Sequence, residues 1–206
     1  LKERGVDAVV VEAKRIGSGA TCDTTAKITA QHGLAYSRIE KEYGFKTAKA
    51  YLSANQEAVD EYRRLARSVP CDFEEKTAYV YSRSNRGKLE EEAGLYRRMG
   101  IEPVFLEHPP IPVDTVGALG MERQAQFHPL KFLTAIADGL KIYEDTFAAE
   151  IRPGEVVTEK GVVHARNIIL ATHYPMVNAR GLYFMKLCQH RSYVLALTGA
   201  QDPEGM

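Results

Sequence analysis

The chain has 206 residues, 45% of them hydrophobic, enough to bury a sizeable core as one large domain or two small ones. Lys plus Arg and Asp plus Glu are equal at 27 each, so no net field draws it to nucleic acid or to an acidic membrane. Three scattered cysteines, Cys22, Cys71 and Cys188, exclude a disulfide framework and suit a reducing compartment, by default the cytoplasm.

No apolar stretch approaches the roughly 20 residues that span a bilayer, and "LKERG" at the start has no apolar signal core. The chain does not open on Met, which reads as a piece of something longer. "LKERG" resembles the last turn of a helix, with Gly5 past its C-cap. A buried strand is expected over Ala8 to Val11. From Tyr36 to Val69 apolar residues recur at helical spacing (Tyr51, Ala54, Ala58, Tyr62, Leu65, Val69), which predicts one or two amphipathic helices.

"KTAYVYS" (76–82) has strand composition, and "NRGKLEEEAGLYRRMG" (85–100) reads as a helix closed by Gly100. "EHPPIPVD" (107–114) is a loop or a sheet-edge segment, and "GALGMERQAQF" (117–127) a strand. A helix then starts at Pro129, with His128 before it as a cap or packing residue. Further strands are expected in "KIYEDT" (141–146), in "AAEIRPG" (148–154) and in "EVVTEKGVVHA" (155–165), the last folded at Glu159 to Gly161. "NIILAT" (167–172), a continuous apolar run, predicts a strand covered on both faces, and "RSYVLALTG" (191–199) a final strand.

Glu12 follows a basic helix end, a glycine and an apolar strand. In dinucleotide-binding folds an acid at the end of the second strand hydrogen-bonds a ribose hydroxyl. The glycine fingerprint of such a fold precedes that acid by about 20 residues, and only eleven residues precede Glu12. The residues alone leave two readings open, a ribose ligand or a solvated strand end. "GSGATCDTT" (17–25) is likewise either a polar loop or a place where small residues and hydroxyls let the backbone reach a ligand.

"VVVEAKRIGSGATCDTTAKITAQHG" (9–33), "NQEA" (55–58), "RQAQFHPLKFL" (123–133), "IYEDT" (142–146) and "NIILATHYP" (167–175) occur in this order along the chain. In order and spacing they resemble the FAD-dependent oxidoreductases of the D-amino-acid oxidase and glycine oxidase superfamily. The likeness is strongest to the bacterial branch whose flavin domain precedes a C-terminal Rieske iron-sulfur domain. It implies an α/β fold: an incomplete FAD-binding Rossmann-like domain (1–35 and 126–179) interrupted by an α+β substrate domain (36–125 and 180–206).

The resemblance makes Glu12 the acid that holds the adenosine ribose, with Ala13 beside the adenine and Ala20 and Thr21 near the pyrophosphate. It lays Thr24, Thr25, Ala26 and Lys27 along the ribityl chain and isoalloxazine, where backbone N–H groups favour negative charge on reduced flavin. Ala148 would meet the adenine, and Ala171 and Thr172 would lie under the flavin nucleotide, although His173 stands where glycine is usual. His32, Arg191 and Tyr193 are substrate-side candidates; an Arg and a Tyr suit an amino-acid carboxylate. No catalytic residue is assigned.

The implied reaction is oxidation of an amino acid or amine by hydride transfer to FAD. The Gly-rich turn that holds the pyrophosphate would lie upstream of Leu1, so this piece alone is expected to bind FAD weakly or not at all. A [2Fe-2S] cluster would belong to a domain beyond Met206. Cys188-Gln-His190 has the spacing of half a Rieske site, but no C-x-x-H partner occurs, and no metal site is expected in the chain. Two alternatives are a non-catalytic module that keeps the fold without cofactor and a flavin hydroxylase-type enzyme.

Overall fold

The computed structural model describes residues 4–177, 181–188, 190, 192–195, 198–199 and 205–206. They form a mixed α/β structure of two compact units, one from residues 1–23 and 137–196, the other from 24–136 and 197–206.

The second unit is a helix-covered antiparallel sheet. Strand β5 (Gly117–Gln126) runs through its centre and pairs along one side with β3 (Glu74–Ser82). On its other side it pairs at one end with β2 (Lys27–Ile28) and at the other with β4 (Val104–Leu106). Gly120 of β5 lies under the Tyr79 ring, where an added Cβ would come within 2.6 Å of the ring carbon Cε1, so any larger residue there would have to displace the ring. Beyond β3, Met206 exchanges two backbone bonds with Tyr79 and Thr77, at 2.9 and 3.0 Å.

Helices α1 (Ala35–Tyr43), α2 (Phe45–Ala66) and α3 (Arg86–Met99) bury Tyr36, Leu52, Val59, Leu89 and Tyr96 with Leu119 and Met121 of the sheet. Local signals set the ends of α3. Asn85 caps it by accepting the Lys88 N–H at 3.0 Å, and Gly100, at φ 96°, closes it in the left-handed region. The expected apolar stripe on α2 is out of phase: Ala48, Leu52 and Val59 are buried, whereas Tyr51 and Tyr62 lie on the exposed side. Tyrosine tolerates either side of such a helix, since its ring is apolar and its tip polar, so its spacing does not mark the buried face. Helix α4 (Pro129–Ala137) starts at the expected proline, with His128 Nδ1 accepting the Lys131 N–H at 3.4 Å. The rings of Tyr62, Phe127 and Phe132 pack on one another with pairwise separations of 5.3–5.7 Å.

Polar groups inside this unit are held by long-range bonds. Gln124 accepts the Ala30 N–H at 2.7 Å, the Tyr36 hydroxyl donates to the Ala30 carbonyl, and Gln31 Nε2 donates to the Leu119 carbonyl at 3.0 Å. The Glu92 carboxylate, fully buried, accepts the N–H groups of Tyr36 (2.9 Å) and Ser37 (2.8 Å), capping α1 from a different helix. Leu34 precedes α1 and makes no side-chain cap.

Burial pushes the phenols of Tyr36 and Tyr96 far above their ordinary range. For Tyr36, the Tyr51 and Glu92 charges add to the effect; for Tyr96, the Glu92 charge does. The unfolded chain therefore releases protons above about pH 10 that the folded one retains, and stability falls with rising pH. The slope is at most about 1.4 kcal/mol per pH unit for each tyrosine. Urea unfolding between pH 9 and 11 is expected to show this decline, and Tyr36→Phe to flatten it; an equal slope in both proteins would refute the assignment.

The first unit contains a parallel pair, β1 (Val9–Val11) with β6 (Lys141–Tyr143). It also contains an antiparallel meander of β7 (Ala148–Arg152), β8 (Glu155–Thr158) and β9 (Gly161–His164). The turn between β8 and β9 falls where expected. A short helix α5 (Tyr183–Lys186) follows. Three expectations fail here. β1 is not buried: Val9 is 39% and Val10 45% exposed, and among the described strands only β6 pairs with it. Residues 167–172 form no strand, and Ile169 is 73% exposed. The composition of that run is suited to a doubly covered strand, but no described strand pairs with it. Within the expected strand 191–199, residues 192–195 form none and Tyr193 is 87% exposed, while 191, 196 and 197 lie outside the described residues.

Candidate functional site

Glu12 lies at the C-terminal end of β1, the end at which open parallel sheets bind ligands. Its backbone continues the ladder, its N–H bonding to Tyr143 O and its carbonyl accepting the Thr146 N–H, both at 2.9 Å. The Asp145 N–H reaches Lys14 O at 2.9 Å, and Glu144 holds the Ile16 N–H at 2.7 Å and Arg15 at 3.2 Å. These bonds pin the Ala13–Ile16 turn against the segment that leads into Ala148 at the start of β7. Glu12, Ala13 and Ala148 are thus brought to one end of the parallel pair. Glu12 Oε1 accepts the Lys14 N–H at 2.9 Å. Its second oxygen makes no hydrogen bond among the described residues, which leaves an acceptor for a hydroxyl.

Ala20 and Thr21 lie in an exposed 3-10 turn, Gly19–Thr21. Gly19 adopts φ 71° there with open space around it, so the backbone conformation, not crowding, calls for glycine. The Cys22 thiol next to the turn touches Gly19 O at 3.2 Å and Asp23 at 3.4 Å. The Asp23 carboxylate pushes its pKa up, which keeps it a thiol and a poor nucleophile. Ala171 and Thr172 are exposed, and Thr172 bonds only locally, to Tyr174 O at 2.8 Å. No hydrogen bond ties them or Tyr193 to Glu12 among the described residues. Arg191 lies outside the described residues.

In the second unit, Thr24 Oγ1 accepts the Ala26 N–H at 3.2 Å, and Ala26 sits at φ 59°. A left-handed alanine costs roughly 1–2 kcal/mol relative to its ordinary conformation. Lys27 then opens β2 opposite Gln126. Strain of this kind concentrates where a backbone is held for function, and it falls in the segment carrying Thr24, Thr25, Ala26 and Lys27. Ala26→Gly is expected to be neutral or to stabilise by up to about 1 kcal/mol, and Ala26→Val to destabilise by about 1–2 kcal/mol. Urea unfolding of both variants checks this; a loss in Ala26→Gly would refute the strain. His32 follows on an exposed loop, its Nε2 3.1 Å from Asn55 Oδ1.

Glu144, Asn55, Gln124 and Glu92 were not singled out from sequence. For Glu92 a signal existed, since Leu89, Glu92, Ala93 and Tyr96 share one helical face and three of them are apolar.

A family model described as DAO, FAD dependent oxidoreductase, matches residues 1–205. The chain belongs to the FAD-dependent oxidoreductase family. Within it, the chain is 37% identical over 220 aligned positions to the Bacillus subtilis (strain 168) protein YhfW, named as a Rieske 2Fe-2S iron-sulfur protein. That alignment covers all of this chain and 43% of YhfW. It is 29% identical to the gamma-glutamylputrescine oxidoreductase of Escherichia coli (strain K12), over 83% of this chain and 44% of that protein. The fold is similar to the crystal structure of glycine oxidase from Geobacillus kaustophilus, with a TM-score of 0.56 at 18% identity over 81% of this chain and 48% of that one. The chain thus spans less than half the length of each of these proteins.

Residues of the first unit suit the adenosine end of the family's cofactor. Among the described residues one Glu12 carboxylate oxygen takes no hydrogen bond, and the neighbouring Ala13 adds no bulk beyond a methyl group. FAD, when bound, supplies the acceptor for a hydride.

Proposed function

We propose that this chain supplies the ribose-binding and flavin-facing segments of an oxidoreductase that oxidises an amino acid or an amine by hydride transfer to FAD. The observation that carries the reading is Glu12, at the carboxyl end of a parallel strand, with an acceptor oxygen unbonded. Glu12 and Ala13 would bind the adenosine, with Ala148 beside it. Ala20 and Thr21 would approach the pyrophosphate, and Ala171 and Thr172 the flavin nucleotide. Thr24, Thr25, Ala26 and Lys27 would line the flavin, Thr24 and Thr25 offering hydroxyl donors without added charge. His32, Arg191 and Tyr193 would face the substrate. In this reading 1–35 with 126–179 make up the flavin half, and 36–125 with 180–206 the substrate half.

Support for the substrate class comes from relatives named for a glutamylated polyamine and for glycine. Support for electron transfer to a [2Fe-2S] cluster in another domain comes from YhfW. The described cysteines are all free, in keeping with a reducing compartment such as the cytoplasm, and no described helix is long and apolar enough to cross a membrane.

A second reading, a module that keeps the fold without cofactor, is favoured by the exposed apolar residues Val9, Val10, Ile169 and Leu170 in the flavin half. Flavin retention separates the two. Expressed from its full open reading frame, the protein is expected to keep visible flavin absorption after desalting and to lose it anaerobically on adding an oxidisable amine or amino acid. The 206-residue chain alone is expected to lose the flavin on desalting. A full-length protein without flavin would overturn the reading.

A further inference from the structure

The motif "NQEA" (55–58) on α2 meets the motif "TAQHG" (29–33) through one side-chain pair. Asn55 Nδ2 donates to the Tyr51 carbonyl, one turn earlier, at 2.8 Å. A carbonyl can only accept, so the amide nitrogen must face it and Oδ1 must face His32, 3.1 Å from its Nε2. Oδ1 is itself only an acceptor, which requires the proton of the neutral imidazole to be on Nε2. The ring also lies beside Tyr51, with centroids 6.1 Å apart and planes tilted by 58°, and Tyr51 meets the buried Tyr36 at 5.8 Å with a tilt of 54°. The loop backbone is fixed just before it, by Gln124 on Ala30 and by Gln31 on Leu119. An exposed histidine is therefore held at one nitrogen, while Nδ1 bonds to nothing among the described residues.

We propose that Asn55 is a positioning residue for His32, holding it as the Nε2–H tautomer so that Nδ1 presents its lone pair to a ligand bearing N–H groups, an ammonium or amine. This assignment stands apart from flavin binding and is tested on the 206-residue chain without cofactor. In ¹H–¹⁵N spectra of the labelled chain with the ring neutral, the His32 signals, identified by their loss in His32→Gln, are expected to show a visible Nε2–H and a pyridine-type Nδ1. Asn55→Leu is expected to lose the Nε2–H signal to solvent exchange with its circular dichroism unchanged, and Asn55→Asp, which keeps an acceptor, to retain it. Adding ethylammonium chloride is expected to move the Nδ1 resonance upfield. A proton on Nδ1, no Nε2–H signal in the parent, or a signal surviving in Asn55→Leu overturns the positioning role; the first two do not depend on Asn55→Leu and need only the His32→Gln assignment variant. An Nδ1 resonance unmoved by the amine overturns the ligand class.

Discussion

Glu92→Ala is expected to destabilise the second unit by about 3–5 kcal/mol, the largest loss from any single polar side chain described above. The substitution removes two charge-assisted hydrogen bonds at once and leaves the Tyr36 and Ser37 N–H groups without partners, one of them fully buried. No local group can take over, because Leu34 before α1 has no capping atom. The carboxylate also sits at the positive end of the α1 dipole, so a neutral acceptor recovers part of the bonding but not the charge term. Glu92→Gln should therefore fall between, at about 1–3 kcal/mol. Urea denaturation followed by circular dichroism checks the order parent, Gln, Ala. If the alanine variant unfolds within about 1 kcal/mol of the parent, the cap does not hold α1.

The second large effect is on the cofactor. Glu12→Ala, in protein expressed from the full reading frame, is expected to weaken FAD binding roughly 10- to 100-fold, as loss of a charged acceptor for ribose hydroxyls would. The cost to folding should be small, since Glu12 Oε1 serves only the exposed Lys14 N–H. Flavin content after dialysis, measured beside the unfolding curve, separates the two contributions. Unchanged flavin content would remove Glu12 from the ribose role. Loss of flavin in step with loss of stability would make it structural.

Elements with chemical punctuation were legible in sequence. Asn85 and Gly100 mark α3, Pro129 marks α4, and the Glu159 to Gly161 turn divides β8 from β9; in each case the signal is local and the structure honours it. Elements that depend on a distant partner were not. An apolar run such as 167–172 states that burial would be favourable, not which strand provides it. β4 is three residues long and exists only because β5 runs beside it. In the candidate site, the position of Glu12 at a strand end could be read from order alone. Its contacts with residues 143–146 lie more than 130 positions away. The Asn55–His32 pair joins two motifs that were visible separately, and only the packing of α2 shows that they meet.

The two bonds from Met206 to Thr77 and Tyr79 have a consequence outside the fold itself. An outermost strand with free N–H and C=O groups is a template on which another chain can dock. Here the middle of β3 is already occupied, and Gly205 packs so closely on the Tyr79 ring that an added Cβ would lie 2.6 Å from it. Gly205 and Met206 thus cover the backbone groups of Thr77 and Tyr79, and that stretch of the β3 edge is closed to any other strand.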